Sequence, residues 1–449
     1  MHSLGRRIKR KGDSMESKAK HIPSKLLLKK MTLDYYIDLN KARYNGRKVA
    51  WASSIVPQEF MEAMDIAVAY PENHSATIAA KKGAMKYIDH ADEMGYSNDI
   101  CSYARINLAY ADLKCDEVFN LPKPDFVVCT NNICSVLVKW YEALAEQYNV
   151  PFFLIDVPFN YDYDAAKKFP DNDPQHKINY IENHYKDFVM DITQERIDYI
   201  KDQFYLFIKF LEKMCGKKFD YDKVNKVMEI SNRCGKAWAK AMEYAEKVPS
   251  PLDGFNMFNY MALMVCMRGK ESSVRLYELI AQEMEENMKE GKSQFPFKQQ
   301  HRIMWDGIAC WPYLRHNYTT LAKNGIVISG STYPKAWELV YDVGNMDELA
   351  AVYAGIGNNR CMAYQSDTRA MIQQQCNCDG VVYHMNRSCK VMDFMQPEMR
   401  RQIYDMVHIP YISFDGDQSD PKNFSKAQFE NRIQGLVENM DAQEKEEVQ

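Results

Sequence analysis

Short apolar runs that each end in polar or turn residues recur along the chain from about Lys48, and they restrict the folds it can adopt. The first four are VAWASS, IAVAYPEN, FVVCTNN and PFFLIDVPFN. Continuous apolar runs of this length are typical of parallel strands that are buried on both faces. Segments with helical spacing separate them, notably SATIAAKKGAMKYIDHADEMG and CSVLVKWYEALAEQYN. This alternation predicts a doubly wound α/β domain over residues 48–160.

In the rest of the 449-residue chain, the apolar pattern changes from strand-like to helical and then back to strand-like. A polar, Asp-rich stretch leads into long segments with apolar positions three and four apart, which predict a mainly helical region over 161–294 with a helix stop at Gly216. The runs GIVISGSTYP, GVVYHMN and IPYISFDGDQ then predict a second α/β domain over 295–449. With a tail and helix over 1–47, we expect an α/β protein of two doubly wound parallel-sheet (Rossmann-like) domains with an intervening helical region.

The composition argues against some classes of partner. The chain is 46% hydrophobic and 26% charged, and its formal net charge of -4 gives no overall positive field for nucleic acid. No uninterrupted apolar run approaches the roughly 18 residues of a membrane span. We therefore expect a cytoplasmic protein that binds neither nucleic acid nor membrane. Its 12 cysteines are expected to be reduced thiols, free to bind metal.

The amino-terminal tail, MHSLGRRIKRKGDSMESKAKH, is basic but lacks the apolar core of a secretory signal. A polyanion-binding arm would use its basic residues Arg6, Arg7, Lys9, Arg10 and Lys11. The simpler interpretation is a disordered extension that results from a start codon placed upstream of Met15.

Polar and thiol side chains follow the predicted strands. In an open parallel sheet, ligands bind outside the carboxyl ends of the strands. The residues at those positions are Ser53, Ser54, Glu72, Asn73, Cys129, Asn131, Asn132 and Cys134 in the first domain and His384, Asn386, Arg387, Ser388, Cys389, Asp415 and Asp417 in the second. Such a collection suits a metal cluster beside a polar substrate.

Three cysteines far apart in the chain each lie in or just after a turn: Cys101 in DICSYAR, Cys134 in VVCTNNIC and Cys389 in HMNRSCK. Each one alone is more simply a small buried hydrophobe. Together they would give three soft thiolates, which suit zinc or iron–sulfur rather than magnesium or calcium. A [4Fe–4S] cluster held by three cysteines keeps one iron open, whereas structural zinc normally takes a fourth ligand.

Other chemistries have weaker support in the sequence. No GxxxxGK[ST] sequence is present, so ATP hydrolysis through a P-loop is not expected, and no GxGxxG fingerprint is found. A nucleophilic pair of Cys389 and His384 stays open as an alternative, although no third, orienting residue can be named. The cysteines that compete as metal ligands are Cys129, Cys376 and Cys378.

Eight segments in the same order resemble a known family across nearly the whole chain after the basic tail. They are WASSIVPQE, YPEN, AAKKG, DICSYAR, NNICSVLVKWYE, QHRIMWDGIACWP, YHMNRSCK and FDGDQSDP. They are similar to the α subunits of the 2-hydroxyacyl-CoA dehydratases, in a family that includes the subunits of 2-hydroxyglutaryl-CoA dehydratase and benzoyl-CoA reductase. The stretch from about Ala165 to Ile192 is longer than in that family's pattern.

The resemblance implies a partner and a cofactor. It implies a heterodimer with a homologous β subunit, in which the α subunit holds a [4Fe–4S] cluster with one open iron site through three cysteines. The matching positions are Cys101, Cys134 and Cys389. Relatives often read CCNNIC where this chain reads CTNNIC, so Thr130 replaces a cysteine and Cys129 is the alternative to Cys134.

The resemblance also implies two catalytic residues. Ser54 would lie at the open iron site, where its hydroxyl would hold a bound water or the substrate oxygen, and Glu72 would be a candidate base. The residues on their own favour simpler roles. Ser54 would cap the next helix, and Glu72, after Pro71, would start one.

The activity that the resemblance implies is a hydro-lyase reaction of anaerobic amino-acid fermentation. Water would leave an (R)-2-hydroxyacyl-CoA through a ketyl radical, after a separate ATP-dependent iron–sulfur activator protein has delivered one electron. The alternatives are an acyl-CoA reductase of the benzoyl-CoA reductase kind and a cluster-carrying scaffold. The sequence leaves the acyl group open, and Lys81, Lys82 and Arg387 are equal candidates for binding the CoA phosphates.

Overall fold

The computed structural model describes residues 23–113 and 119–447 of the chain. The basic residues that precede Met15, and the choice between a polyanion-binding arm and an extension, lie outside the described residues. Within the described part, the first sheet has four parallel strands in the spatial order β2-β1-β3-β4. They are β1 (Val49–Ala52), β2 (Ala67–Ala69), β3 (Phe126–Thr130) and β4 (Phe152–Ile155).

The second sheet repeats this topology. Its four parallel strands, counted over the described residues, have the order β6-β5-β7-β8. They are β5 (His301–Asp306), β6 (Ile326–Ser331), β7 (Gly380–Asn386) and β8 (Tyr411–Gly416). In each sheet the second strand in sequence pairs with one edge of the first strand, and the third strand pairs with its other edge. The predicted α/β class with two parallel sheets is therefore confirmed, and the topological switch points lie between β1 and β3 and between β5 and β7.

The predicted runs of the second domain omit β5, although this strand pairs with both β6 and β7. Its sequence, HRIMWD, has only three adjacent apolar residues between polar ends, so the apolar pattern is too short to identify it. Both polar ends are buried in the fold. Five backbone carbonyls accept hydrogen bonds from the Arg302 guanidinium, and Arg369 pairs with Asp306. The polar ends that interrupt the apolar pattern of β5 are thus stabilised by partners elsewhere in the fold.

Helices alternate with the strands of the first sheet. They are α1 (Ser24–Lys41), α2 (Gln58–Ala63), α3 (Pro71–Ala80), α4 (Ala84–Glu93), α5 (Ser102–Leu113) and α6 (Val136–Tyr148). The segment SATIAAKKGAMKYIDHADEMG, predicted as helical, contains two helices rather than one. Lys82, between α3 and α4, has a φ of 62°, and left-handed backbone of this kind ends a helix.

Short and long helices separate the two sheets along the chain. They are α7 (Ala165–Lys168), α8 (Pro174–Asn183), α9 (Tyr185–Val189), α10 (Gln194–Cys215), α11 (Tyr221–Met242), α12 (Gly254–Tyr260), α13 (Ala262–Met267) and α14 (Glu271–Lys289). Gly216 follows α10 with a φ of 65°, so the helix stop predicted there is confirmed. Of the helices in the described residues, none is long and apolar enough to cross a membrane. The domain boundaries near residues 47, 160 and 294 stay predictions.

Further helices accompany the second sheet. They are α15 (Leu314–Lys323), α16 (Thr332–Lys335), α17 (Met346–Ala354), α18 (Met362–Gln375), α19 (Lys390–Asp393), α20 (Gln396–Val407) and α21 (Lys426–Glu447). Short 3-10 helices span Glu243–Ala245, Trp311–Tyr313, Gly357–Asn359 and Pro421–Asn423.

A buried ion pair joins the two sheets through the helical region. Glu59 in α2 lies 3.6 Å from Arg268, measured from Oε1 to Nη2, and both side chains are 0% exposed. Ser231, Tyr341 and Tyr353 each donate a hydrogen bond of 2.6 to 2.8 Å to the Glu59 carboxylate. Burial alone would raise the pKa of Glu59, but the Arg268 charge and these hydrogen bonds outweigh it and lower that pKa. Glu59 therefore stays ionised and links three parts of the chain.

Candidate functional site

One cleft brings together the five site residues predicted from the sequence. Ser54, Glu72, Cys101, Cys134 and Cys389 all line it, and its empty space, including the part open to solvent, amounts to about 1410 Å³. Four of the five follow a strand within a few residues. Ser54 follows β1, Glu72 follows β2, Cys134 follows β3 and Cys389 follows β7. The cleft thus lies at the carboxyl ends of strands from both sheets, where open α/β sheets bind their ligands.

Each of the three cysteines lies at or near the start of a helix. Cys101 immediately precedes α5, Cys134 lies two residues before α6, and Cys389 immediately precedes α19. Backbone N–H groups that act to lower the pKa of these thiols are those of Tyr103 and Ala104 for Cys101, Val136 and Leu137 for Cys134, and Met392 for Cys389. Such donors favour negative charge on sulfur, so the local backbone stabilises thiolates at all three positions.

Hydrogen bonds to the second sheet hold the first turn of α5, and with it Cys101, in the cleft. Ser102 Oγ donates to Asp417 Oδ1 at 2.6 Å, in the loop that follows β8. Arg105 Nη1 donates to Asp420 Oδ2 at 3.0 Å in the same loop. Each of these side chains is buried, so the bonds are protected from water. A cysteine of the first α/β region is thereby placed beside the strand ends of the second.

The free thiols are held in their neutral form by their surroundings. Burial raises the pKa of Cys134 to about 11 and that of Cys389 to about 12. Burial raises the pKa of Cys101 well above its ordinary value, and repulsion from Cys389 and Cys134 adds to the rise. Three thiolates in this position need a positive charge nearby, and bound metal ions supply such a charge.

The residues present fit an iron–sulfur cluster. The donors are soft thiolates, and the Gln418 side chain donates a hydrogen bond of 3.1 Å to Cys101 Sγ, the kind of outer contact that tunes such clusters. Across residues 23–113 and 119–447, no group of three His, Cys, Asp or Glu side chains is arranged to share one metal ion. In a cluster, each thiolate bonds a different iron, so its ligands are farther apart than those of a single ion. The three thiols line one cleft, where they are available as soft donors to such a group.

The competing cysteines do not line this cleft. Cys129 lies within β3 and is fully buried. Cys376 and Cys378 precede β7, at the opposite end of that strand from Cys389, and Cys378 Sγ lies 3.5 Å from Ser329 Oγ. The geometry therefore favours Cys134 over Cys129 as the companion of Cys101 and Cys389.

Glu72 and Ser54 form a hydrogen-bonded pair on the cleft wall. The Glu72 carboxylate accepts a hydrogen bond of 3.1 Å from the Ser54 backbone N–H, and the Tyr141 hydroxyl lies 2.6 Å from its other oxygen. Burial raises the pKa of Glu72, while the hydrogen bonds from Tyr141 and Ser54 oppose part of that rise. A buried carboxyl group with a raised pKa in a cleft is a candidate for proton transfer.

Of the two simpler structural roles, the structure confirms that of Glu72 at a helix start and contradicts that of Ser54 as a helix cap. Glu72 does lie in the first turn of α3, directly after Pro71, so its position at a helix start is confirmed. Ser54 does not cap the following helix, because α2 begins only at Gln58, directly after Pro57. The capping interpretation of Ser54 is therefore wrong, and its side chain is available to the cleft.

The alternative nucleophilic pair is not formed in the described structure. His384 Nδ1 lies 2.6 Å from the Ile308 carbonyl oxygen, and the His384 ring stacks on Phe414 with centroids 4.9 Å apart. Burial lowers the pKa of His384, so the ring is neutral at physiological pH. His384 is not among the residues that line the cleft, whereas Cys389 is.

The candidates for binding the CoA phosphates lie outside the cleft lining. Lys81 Nζ is 3.2 Å from the ring centroid of Phe119. Lys82 lies in the turn between α3 and α4, and the exposed Arg387 is 3.9 Å from Asp415. The choice among the three candidates stays open.

Sequence reasoning missed the apolar wall of the cleft and an ion pair within it. The wall includes Val136, Leu137, Trp140, Trp337, Leu339 and Ile372. The ion pair is formed by Lys335 and Glu338, whose spacing of three residues is visible in the sequence, although their position on the cleft is not. The long stretch of 165–192 adds Tyr185 and Val189. A close approach permits this, because a Cβ atom at Gly355 would lie 2.1 Å from the Val189 carbonyl oxygen.

Comparison with known proteins gives one consistent result. The chain matches the model of the family "2-hydroxyglutaryl-CoA dehydratase, D-component" over residues 53–440. It is 41% identical to the (R)-2-hydroxyisocaproyl-CoA dehydratase alpha subunit of Clostridioides difficile, over 94% of this chain and 97% of that protein. It is 40% identical to the (R)-phenyllactyl-CoA dehydratase alpha subunit of Clostridium sporogenes, over 96% and 98%, and 38% identical to the lactoyl-CoA dehydratase subunit alpha of Anaerotignum propionicum, over 90% and 93%. The chain belongs to the 2-hydroxyacyl-CoA dehydratase family, as its eight motif segments predict.

Proposed function

We propose that this protein is the iron–sulfur α subunit of an (R)-2-hydroxyacyl-CoA dehydratase, which eliminates water to give a 2-enoyl-CoA. The observation that carries the proposal is the single shared cleft of Ser54, Glu72, Cys101, Cys134 and Cys389 in a chain of this family. The partners proposed are a homologous β subunit and an ATP-dependent iron–sulfur activator protein. The relatives are named for different acyl groups, so similarity alone does not assign the acyl group.

The chemistry requires an electron. The β proton of the substrate is not acidified by the thioester carbonyl, and hydroxide leaves poorly from the α carbon. One electron added to the carbonyl gives a ketyl radical, which expels hydroxide from the α carbon and becomes an enoxy radical. Its β hydrogen is far more acidic and leaves as a proton to a base. Loss of this proton leaves the radical anion of the 2-enoyl-CoA, which gives back the electron and becomes the product, so water is removed with no net oxidation or reduction.

In this proposal, Cys101, Cys134 and Cys389 hold a [4Fe–4S] cluster. When bound there, a cluster with one iron free of protein thiolates supplies a Lewis acid beside the substrate oxygen atoms. The backbone N–H groups at the three helix starts and the Gln418 amide stabilise the thiolate charges. The apolar wall excludes water from the reacting atoms, which strengthens every electrostatic contact there.

Glu72 takes the β proton in this proposal, and Ser54 positions it. The raised pKa of Glu72 makes it a stronger base than an exposed carboxylate. The Ser54 backbone N–H fixes one carboxylate oxygen and Tyr141 fixes the other, which leaves little freedom to rotate. The Ser54 hydroxyl, on the wall of the same cleft, is proposed to hold the substrate oxygen.

Metal analysis of cysteine variants tests the proposal. The chain, purified anaerobically with its partner, is expected to contain iron and acid-labile sulfide with one distinct iron in the Mössbauer spectrum. Cys101→Ala, Cys134→Ala and Cys389→Ala should each lose that signal, because each removes one thiolate ligand. Cys129→Ala and Cys376→Ala are the matched controls and should keep it. An iron-free wild-type complex would refute the proposal.

Counting electrons separates dehydration from reduction. A dehydratase is expected to complete many turnovers for each electron that the activator delivers, because the electron returns at the end of each cycle. Consumption of reductant in proportion to product would instead indicate an acyl-CoA reductase.

Replacing Tyr141 by phenylalanine is expected to shift the pH dependence of the enzyme. Tyr141 opposes the rise in the pKa of Glu72, so its loss should raise that pKa further. Less Glu72 is then ionised at neutral pH, and the acid limb of the kcat/KM profile should move to higher pH. We expect a loss of roughly tenfold at neutral pH, recovered in part at alkaline pH.

The control for this variant is Tyr148→Phe, which makes the same change at the last residue of α6, away from the cleft lining. Its acid limb should coincide with that of the wild type. A Tyr141→Phe enzyme with an unshifted limb would argue against ionised Glu72 as the base.

A further inference from the structure

Within the described residues, the cationic side chains that line the cleft are Lys335 and Arg369. Each is paired with a carboxylate. Lys335 Nζ lies 2.8 Å from Glu338 Oε2, and Arg369 Nε lies 3.0 and 3.1 Å from the two oxygens of Asp306. Neither cation therefore offers an uncompensated positive charge to a ligand in the cleft.

The Lys335–Glu338 pair lies in apolar surroundings. The Lys335 ammonium group is 4.6 Å from the ring centroid of Tyr185, and Trp337 and Leu339 line the cleft beside it. The side chains of Lys335 and Glu338 are only 19% and 10% exposed. Burial lowers the pKa of Lys335, but the nearby carboxylates of Glu338 and Glu246 outweigh burial and raise it, so Lys335 keeps its positive charge. An ion pair of this kind is screened less by water than one on the surface.

This part of the cleft would bind an acyl group that ends in a carboxylate less favourably than one that ends in an alkyl group. A second carboxylate on the acyl group would meet the Glu338 charge and would lose its own hydration without gaining a free cation. An alkyl or aromatic side chain would instead contact Trp140, Trp337 and Leu339. An unfavourable contact with the wrong ligand is an effective way to discriminate between similar substrates.

We infer that the cleft accepts 2-hydroxyacyl groups with an uncharged, apolar side chain, and that Glu338 excludes acyl groups with a second carboxylate by neutralising Lys335. This inference rests on the proposed function, because it concerns the acyl group of the same substrate. Glu338 acts by neutralising Lys335. It therefore determines which acyl group binds and takes no part in the elimination itself.

Two thioesters of similar length test the inference. The complete enzyme, with partner and activator, is assayed with (R)-2-hydroxyisocaproyl-CoA and (R)-2-hydroxyglutaryl-CoA. We expect kcat/KM of the wild type to favour the first by at least about 100-fold, since an unpaired carboxylate is costly to bury. Glu338→Gln removes the carboxylate that pairs with Lys335 at 2.8 Å and should reduce this ratio by about tenfold or more, through a higher kcat/KM for the glutaryl thioester.

Two controls isolate the ion pair. Glu243→Gln makes the same substitution in an exposed pair, in which Lys240 Nζ lies 2.7 Å from Glu243 Oε2 at the same spacing of three residues, and it should leave the ratio unchanged. Adding Lys335→Met to Glu338→Gln should cancel the gain for the glutaryl thioester. The dissociation constants of both thioesters, measured without activator, should follow the same order, which gives a readout that does not depend on turnover.

The outcomes distinguish this inference from the proposed function. If neither these nor other 2-hydroxyacyl thioesters are dehydrated, the proposed function is refuted and the inference with it. If the wild type dehydrates the glutaryl thioester as well as the isocaproyl thioester, the proposed function stands and the inference fails. If Glu338→Gln changes both kcat/KM values equally, the role of Glu338 is refuted. If the Glu338→Gln variant does not fold, the ratio of the two wild-type kcat/KM values still tests whether the cleft prefers an apolar acyl group.

Discussion

Replacing Glu72 by glutamine is expected to lower the rate of dehydration by a factor between about 10² and 10⁴, the range typical for loss of a general base. Glutamine has nearly the same shape and can still accept the hydrogen bond from the Ser54 backbone N–H. It cannot accept a proton from the β carbon. The position of the side chain is thus kept while its basicity is removed.

Three measurements distinguish loss of the base from damage to the site. Iron and sulfide content should equal that of the wild type, because Glu72 is not among the proposed cluster ligands. Exchange of the substrate β hydrogen with deuterated water should be lost together with turnover. Glu142→Gln, an exposed glutamate on α6, makes the same chemical change outside the cleft lining and should retain full activity. A Glu72→Gln enzyme within tenfold of the wild type would assign the proton transfer to another group.

Replacing Arg268 by methionine is expected to lower the free energy of unfolding by about 3–5 kcal/mol, the cost of leaving a buried charge without its partner. Both Arg268 and Glu59 are fully buried, so the carboxylate left behind is shielded from bulk water. The hydrogen bond from Arg268 Nε to Ser231 Oγ, at 3.1 Å, is lost as well. Urea unfolding of the purified protein should show the decrease as a lower midpoint.

The pH dependence identifies the cause of this destabilisation. The native pKa of Glu59 is depressed, so its ionised form contributes stability above the unfolded pKa of about 4.3, and this contribution is lost as the pH falls through the native pKa. Without Arg268, protonated Glu59 is the less costly form to bury. The difference between variant and wild type should therefore shrink as the pH becomes acidic.

A matched control replaces an arginine of a surface ion pair. Arg233 Nη1 lies 2.7 Å from Glu271 Oε1 on the exposed side of the helical region. Arg233→Met should cost less than about 1 kcal/mol, since water compensates both groups. Equal effects of Arg233→Met and Arg268→Met would mean that burial of the Glu59 pair does not stabilise the fold.

The parallel strands could be predicted where their apolar runs were long enough. Strands β1, β3, β6 and β7 are buried along their whole length or nearly so, and each begins with an apolar run readable without any knowledge of its neighbours. Strand β5 could not be predicted, because its polar ends find partners only in the folded protein. The break in the helical segment at Lys82 was also missed, since no glycine or proline stands at that residue itself to mark the change of backbone direction.

The five candidate site residues were found through motifs, and the structure places them around one cleft. No feature of DICSYAR, VVCTNNIC or HMNRSCK alone indicates that their cysteines meet, since Cys101 and Cys389 are separated by most of the chain. The buried bonds of Ser102 to Asp417 and of Arg105 to Asp420 bring Cys101 to the second sheet. These contacts depend on the packing of two sheets, which no local pattern records.

The sequence by itself determined the α/β class, the parallel strands with long apolar runs, the family and the residues that carry its motifs. These follow from local apolar periodicity and from short segments whose residue order is specific. Only the tertiary structure decided that Ser54 is free of a capping role, that Cys129 does not line the cleft, and that Lys335 and Glu338 neutralise each other within it. Those facts depend on burial and on contacts between residues distant in the chain, and the free energy of a charged or polar group is set by its surroundings rather than by its neighbours in sequence.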